Sequence, residues 1–447
     1  MAKGISKKGR SLGPVSQPLE EYYPINYKVI GYQSWLDQVF PSGVLEEDQI
    51  VAVENAKDPK LLEVVTWMHL QKVLGVDSET TGIDKRSGLD PHHPKSRIIL
   101  LQVGTQDLIY LIQPELIPEF KGVLESPEIL HILQNAVYDF KYLLVKYNIH
   151  MERMYDTMLG EQLLTSGLMH AGVSLEEIVR KYKPHRLISK EIRKQFMLFT
   201  GTFDRKMVYY AARDIELLFP VMAEQILALK KWKMEAVAQD EFNCIPCTSM
   251  MELGGVHIDV RVLRLALTYW NARRIELEER ILALYNQEID KQGEKALYLI
   301  PDMQEVFDLN SSSKKLVALR RIGLDLEDTK RETLEELDHP IAKFLAEYSE
   351  VMKVISTYGE SMIEKVDKNT GRLYPEFHQL GSGDLEARQG KAKKGTIATG
   401  RYSSDFQQLP RPVARYAEVT DIEELAGVRA AFAEKLAAHQ EGEQVYA

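Results

Sequence analysis

The stretch Lys72-Val73-Leu74-Gly75-Val76-Asp77-Ser78-Glu79-Thr80 constrains this chain more than any other. Its first half is apolar and β-branched and reads as a buried strand. Strand side chains alternate with period two, so Asp77 and Glu79 leave the strand on one face, side by side. Two carboxylates held that close repel each other. The usual compensation is a divalent cation, and oxygen-only donors suit Mg²⁺ or Mn²⁺. Alone, an Asp-x-Glu pair is most often a solvated turn, so the other donors must come from elsewhere in the chain.

With 447 residues, two to four domains are expected, and 45% apolar residues fill an ordinary globular core. No apolar run approaches the roughly 18 residues of a membrane span. Met1–Arg10 is basic (Lys3, Lys7, Lys8, Arg10) but has no apolar segment behind it, so it reads as a basic tail and not as a signal peptide. These features predict a soluble cytosolic protein. The two cysteines, Cys244 and Cys247, lack a second Cys or His pair at ligand spacing and lie among Phe242, Ile245, Met250, Met251 and Leu253. That context predicts apolar packing. The net charge of −10 argues against a general nucleic-acid coat but leaves room for a nuclease or polymerase with acidic metal sites and local basic patches. Arg388, Lys391, Lys393, Lys394 and Arg401 form one such patch, or else a solvated charge run.

Strands are predicted at Ile50–Val53, Val73–Asp77, Ile98–Val103, Leu108–Ile112 and Leu130–Gln134. Helices are predicted from Asp58-Pro59 to about Gln71, from Asn135 to Tyr147, over Leu159–Thr165, over Ser174–Lys181 (opened by the capping box Ser174-Leu175-Glu176-Glu177) and over Phe203–Leu229. Strands mixed with helices in this order give an α/β domain. Beyond residue 235 the strand signal nearly vanishes. Apolar residues at 263, 267, 270, 277, 281 and 284, and again at 344, 348, 351, 355, 358 and 362, mark the seam of a long helix pair. Asn310–Leu316 makes a good helix start, Gly381–Gly400 is rich in Gly and Lys, and Ile422–Leu436 reads as a short helix. The predicted division is an N-terminal extension (1–45), an α/β domain (46–235), a helical domain (236–375) and a final segment (376–447).

Two further carboxylates join the first pair. Asp139 lies four residues after Asn135 where a strand gives way to a helix, and Asp214 lies four residues after Tyr210, on one helical face with it. Four acids and a tyrosine suit a two-metal centre. Metals about 3.5–4 Å apart clamp the attacking water and the leaving oxygen of a phosphodiester.

Asp77-x-Glu79, Asn135-x-x-x-Asp139 and Tyr210-x-x-x-Asp214 resemble the three exonuclease motifs of the DEDD superfamily in its tyrosine branch. Tyr209 stands where the histidine branch carries His. Thr81-Gly82, Gly88-Leu89-Asp90-Pro91 and Tyr155-Asp156-Thr157-Met158 extend the likeness to the proofreading domain of family A DNA polymerases of bacteria and phages. Met251-Glu252-x-x-Gly255-Val256-x-Ile258-Asp259 is similar to the family's approach to the thumb. Phe307-x-Leu309-Asn310-Ser311 and Lys315-Leu316 look like its tip, and Lys353-x-x-Ser356-Thr357-Tyr358 and Gly371-Arg372 follow in family order. Thr399-Gly400-Arg401-Tyr402-Ser403-Ser404 and Gln407-Gln408-Leu409-Pro410 are similar to the segment that nears the primer terminus at the palm.

The resemblance implies an RNase H-like α/β exonuclease fold, a mixed sheet flanked by helices, followed by a mainly helical thumb and the start of a palm. It implies a metal-dependent 3′–5′ exonuclease that proofreads during DNA replication and releases nucleoside monophosphates. Asp77, Glu79, Asp139, Tyr210 and Asp214 would be catalytic, and the four acids would hold two Mg²⁺ or Mn²⁺ ions. Asp77, Glu79 and Asp214 would hold the inner ion; Asp77 would also touch the outer one, with Asp139 close by. Ile83, Asn135, Tyr138, Asn310, Lys314, Lys315, Arg401 and Gln408 would contact a single-stranded 3′ end or primer–template duplex. The family's polymerase carboxylates and fingers helix have no counterpart, Glu386–Gly395 looks like an insertion, and no 5′-nuclease region precedes the exonuclease motifs. The expectation is a phage-like split or truncated polymerase without polymerase activity of its own, partnered by a separate fingers and palm chain, in the host cytoplasm if phage-encoded. A non-autonomous DNA-binding subunit and an RNase D-like exoribonuclease are the alternatives.

Overall fold

A computed structural model describes residues 24–40, 44–84, 88–166, 172–183, 192–197, 199–291, 307–380 and 402–404. The expectations for Met1–Arg10, Gly381–Gly400, Arg401, Gln408 and Ile422–Leu436 lie outside these residues. The chain divides into two compact units, one running to Gly254 and resuming at Glu376, the other spanning Gly255–Pro375.

In the first unit, β1 (Tyr27–Tyr32), β2 (Ile50–Val53), β3 (Val73–Thr81), β4 (Arg97–Gly104), β5 (Ile109–Ile112), β6 (Leu130–Leu133) and β7 (Met154–Asp156) form one sheet in the order β2-β1-β5-β4-β3-β6-β7. β4 runs antiparallel to its neighbours β3 and β5, and the other pairings are parallel. The sheet is therefore mixed, and its inner strands are covered on both faces. From Ile98 to Gly104 every residue of β4 is buried, which is why its sequence, Gln102 apart, is apolar and does not alternate. The sequence reading did not anticipate β1, which lies inside the sheet between β2 and β5. Its buried Val29 and Ile30 belong to the main core.

The helices of this unit are α1 (Gln33–Val39), α2 (Pro59–His69), α3 (Lys121–Leu124), α4 (Ala136–Tyr147), α5 (Thr157–Leu164), α6 (Leu175–Tyr182), α7 (Arg193–Met197), α8 (Arg205–Lys231), α9 (Glu235–Asn243) and α10 (Ile245–Gly254). Their starts follow local chemistry. The Asp58 carboxylate accepts from Lys60 N at 2.9 Å, with Pro59 in the first turn of α2. Ser174 and Glu177 close the expected capping box on α6. Asp204 accepts from Met207 N at 2.7 Å and opens α8. In α10, Ile245, Thr248, Ser249 and Glu252 are buried. Cys244 and Cys247 are exposed, which corrects the expectation that they pack in a core. Cys244 precedes α10, and within α10 the helical period turns Cys247 away from that buried side.

In the second unit, β8 (Val256–His257) pairs antiparallel with β9 (Arg372–Leu373). The helices are α11 (Val260–Lys291), α12 (Ser312–Arg321), α13 (Arg331–Glu335), α14 (Pro340–Tyr358) and α15 (Glu360–Ile363). α11 and α14 form the long pair that the apolar seam predicts, burying Leu277, Ile281 and Tyr285 in one cluster with Ile341, Leu345 and Tyr348. Arg273 reaches Glu347 across this pair at 2.7 Å. Back in the first unit, β10 (Phe377–His378) pairs antiparallel with β11 (Ser403–Ser404). No helix among the described residues is long and apolar enough to cross a membrane.

Candidate active site

β3 carries Asp77 and Glu79 toward its C-terminal end, and its register against β4 shifts between Glu79 and Thr80. Such an irregularity bends a strand and re-aims its side chains where pairing ends. α8 crosses β3 and supplies Tyr210 and Asp214 one turn apart. One ligand oxygen each from Asp77, Glu79 and Asp214 lies within 4.8 Å of the others. Glu79 is 8% exposed, and Asp77 and Asp214 are partly buried.

Asp139 stands outside this trio. It lies in the first turn of α4, is 2% exposed, and its Oδ1 accepts from Ser78 Oγ at 2.5 Å. Ser78 falls between the two β3 acids, so its side chain leaves the strand on the opposite face. The α4 N-terminus is held by Asp156, whose carboxylate accepts from Asn135 N at 3.0 Å and Ala136 N at 2.8 Å. Asp156 also accepts from Met158 N at 2.8 Å and Leu159 N at 3.4 Å, so one fully buried carboxylate caps both α4 and α5.

The electrostatics follow from this crowding. Burial raises the Asp77 carboxyl pKa to about 6, against the pull of Arg193 and the Ser78 amide. Burial raises Glu79 well above the carboxylate range, and Asp77 and Asp214 push it further. Asp214 is raised by burial and then by Asp77, with Arg193 and a hydrogen bond from Tyr210 opposing. Asp139 is raised by burial and by Asp77, with the Ser78 hydroxyl and amide opposing. The Tyr210 phenol is pushed up by burial, Asp214 and Glu79, so it stays protonated at any physiological pH. Acids repelling one another in a buried site are the arrangement a cation relieves. Asp214 Oδ1 is buried with no hydrogen-bond partner among the described residues. The all-oxygen donor set and this orphaned oxygen fit a divalent hard cation.

The remaining predicted residues are placed as follows. Ile83 is 60% exposed just past β3. Asn135 is exposed and left-handed (φ 64°), and its side chain makes no capping bond; Asp156 caps the helix instead. Tyr138 is half-buried, with its hydroxyl bonded to Thr80 and to Gly88 O at 3.3 Å. Tyr142 and Thr80 also donate to Gly88 O, at 2.7 and 3.1 Å, so three hydroxyls converge on that carbonyl. In the second unit Asn310 and Lys314 are exposed. Lys315 is 8% exposed, and burial pulls its ammonium pKa down. Its neighbours in the helix, Ala318 and Leu319, are core residues, so packing rather than solvent surrounds it.

A family model for 3′–5′ exonuclease domains of the DNA polymerase A type matches residues 53–228. Residues 53–228 form a 3′–5′ exonuclease domain. All five predicted catalytic residues fall within it. The chain containing this exonuclease domain is similar to DNA polymerase I of Borreliella burgdorferi, 23% identical over 350 residues, which cover 75% of this chain and 37% of that protein. It is also similar to DNA polymerase I of Pseudomonas aeruginosa, 25% identical over 311 residues, covering 67% of this chain and 31% of that protein. The chain thus spans about a third of the length of these curated relatives. Among solved structures, the POL domain of Pol1 from M. smegmatis, in complex with DNA primer-template and dNTP, matches with a TM-score of 0.53 at 15% identity. The match covers 83% of this chain and 57% of that one, and shows a shared fold.

Two features of the exonuclease domain escaped sequence reasoning. Arg193 acts on the acid cluster from α7, and Asp156 caps two helices. The Tyr155-Asp156-Thr157-Met158 run, with an N-cap residue ahead of a helix, carried a signal for Asp156; nothing local marked Arg193.

Proposed function

We propose that this chain removes nucleotides from DNA 3′ ends as a metal-dependent proofreading exonuclease. The observation that carries the reading is the approach of Asp77, Glu79 and Asp214 oxygens within 4.8 Å, with Tyr210 one turn from Asp214. Asp77, Glu79 and Asp214 would hold one divalent ion, and Asp77 with Asp139 a second. When bound, such ions supply Lewis-acid stabilisation of the phosphoryl oxygens and lower the pKa of the attacking water.

The chain's own residues orient the reaction. Tyr210 keeps its proton, so its hydroxyl holds the attacking water by a hydrogen bond and does not compete as an anion. Glu79 lies within the acid cluster and would accept the water proton. Ser78 fixes the Asp139 carboxylate, and Asp156 fixes the helix that carries it. Ile83, exposed just past the end of β3, would separate the terminal bases. Asn310 and Lys314 are the proposed duplex contacts of the second unit.

The test is digestion of a 3′-labelled primer–template by the purified chain with Mg²⁺ or Mn²⁺, with and without dNTPs, and of an RNA strand of the same sequence. Stepwise shortening of DNA that is lost on chelation and in both Asp77→Ala and Asp214→Ala is expected. Full activity in both variants would sink the assignment. Preference for the RNA strand would move the substrate to RNA.

A further inference from the structure

α7 is a single short turn of helix beside the site, tied to it at two points. Thr81 Oγ1, at the end of β3, donates to Met197 O at 3.3 Å. The Phe196 ring lies 6.1 Å from the Tyr210 ring, and Phe196 is 1% exposed. Arg193 precedes Phe196 by three residues and Met197 by four, so all three share one side of the helix. That side faces β3 and α8, where the carboxylates are. Arg193 nevertheless remains exposed, whereas the acids near it are buried or partly so.

Loss of surrounding water pulls the Arg193 guanidinium pKa down, but the negative charges of Glu79, Asp214 and Asp77 outweigh it and hold it above the ordinary value. Asp77, Glu79, Asp139 and Asp214 bring four negative charges when ionised. A phosphodiester adds one, and its transition state gains another on the phosphoryl oxygens. Carboxylates cannot donate to those oxygens. A guanidinium can, because its planar fork of N–H groups matches phosphoryl geometry and its charge is permanent.

We propose that Arg193 is a further catalytic residue, donating hydrogen bonds to a non-bridging oxygen of the scissile phosphodiester. The inference rests on the exonuclease reading above. Water oxygen bonds to phosphorus and the P–O3′ bond breaks. The water proton passes to a carboxylate of the site, and the released O3′ takes a proton from solvent. The products are a nucleoside 5′-monophosphate and a strand one residue shorter. Arg193 exchanges no proton; it holds the charge that accumulates on phosphorus-bound oxygen.

The experiment is single-turnover digestion of a 3′-labelled single-stranded oligodeoxynucleotide with Mg²⁺ by the full chain and by Arg193→Ala, Arg193→Gln and Arg193→Lys. Mn²⁺ binding to each protein without DNA is measured by electron paramagnetic resonance. Removing a preorganised donor to transition-state charge costs ~10²–10³-fold in rate. Arg193→Ala and Arg193→Gln are expected to lose that much, with undiminished Mn²⁺ binding. Arg193→Lys should recover part of the rate, and added guanidinium ion should partly rescue Arg193→Ala. A wild-type rate in Arg193→Ala overturns the inference and leaves the exonuclease reading standing. Slow variants that bind Mn²⁺ poorly and ignore guanidinium overturn it as well, since Arg193 would then only support the site. A wild-type chain that digests no DNA overturns the exonuclease reading and the inference with it.

Discussion

Gly75 and Ile215 touch where β3 passes beneath α8: a Cβ on Gly75 would stand 2.8 Å from Ile215 Cγ2 and 3.3 Å from the Phe219 ring. Gly75 is two residues before Asp77 on the same strand face, and Ile215 directly follows Asp214. The missing side chain therefore sets how near the strand acids and the helix acid can come.

Gly75→Ala is accordingly expected to push α8 away from β3. Overpacking of a tight core costs typically 1–3 kcal/mol, readable as a lower denaturant midpoint. Nuclease activity should fall further than stability at permissive temperature, because the separation of Asp77 from Asp214 widens. An alanine variant with unchanged activity and midpoint would mean that Ile215 moves aside without displacing Asp214.

Asp214→Asn should separate two roles of the same side chain. With metal, it should abolish DNA digestion. Under chelation at pH 8 it should melt higher than the wild type, because the mutual repulsion of Asp77, Glu79 and Asp214 is relieved. Thermal melts in EDTA and in Mn²⁺ check both halves, and a lower melting temperature in EDTA would contradict the repulsion argument.

The pH dependence has a definite sign. The folded-state pKa of Asp77 is raised from 3.8 to about 6, so metal-free folded protein binds more protons than unfolded chain in that window. The stability that Asp77 contributes is present below about 3.8 and is lost as pH rises through about 6. Glu79, Asp139 and Asp214, raised in the same direction, extend the loss to higher pH. Cation binding opposes it. The melting-temperature gain from Mn²⁺ should therefore grow from pH 5 to pH 8 and be accompanied by proton release, which calorimetry in buffers of different ionisation enthalpy measures. A gain independent of pH would contradict the raised carboxylates.

Asp156→Ala removes one buried carboxylate and uncaps two helices. Caps contribute about 1 kcal/mol each, and orphaned buried N–H groups add to the cost, so a loss of roughly 3 kcal/mol is expected in urea unfolding. Asp156→Asn, which keeps an acceptor, should lose less. Activity should also fall in both, because Asp139 rides on α4, one of the two helices that Asp156 caps. Equal stability of the two variants would argue that the carboxylate charge, and not its acceptor geometry, matters.

Much of the site was legible because its pieces are local. The apolar run into Asp77 and Glu79, the Asn135 to Asp139 spacing and the Tyr210 to Asp214 turn each follow from the period of one element. The helix starts at Asp58 and Ser174 and the α11–α14 seam were legible for the same reason, since caps and amphipathic periods are written within a few turns of chain. The local composition around Cys244 and Cys247 was apolar, yet period alone could not say which side of α10 meets the core.

What only the tertiary structure decided depends on contacts between distant segments. β1 enters the sheet between β2 and β5 by backbone pairing that no periodicity announces. Ser78, 61 residues from Asp139, donates to that acid's carboxylate and fixes it beside Asp77. Lys315 goes to the core while Lys314 remains at the surface, and the charge of Arg193 is set against acids on two other elements. By itself the sequence determined which side chains were available and on which face of its own strand or helix each would lie. The distances between those faces, and hence which acids share charge and which cation faces them, were set by packing. Burial and close approach are properties of pairs of elements, and the covalent order of one chain does not contain them locally.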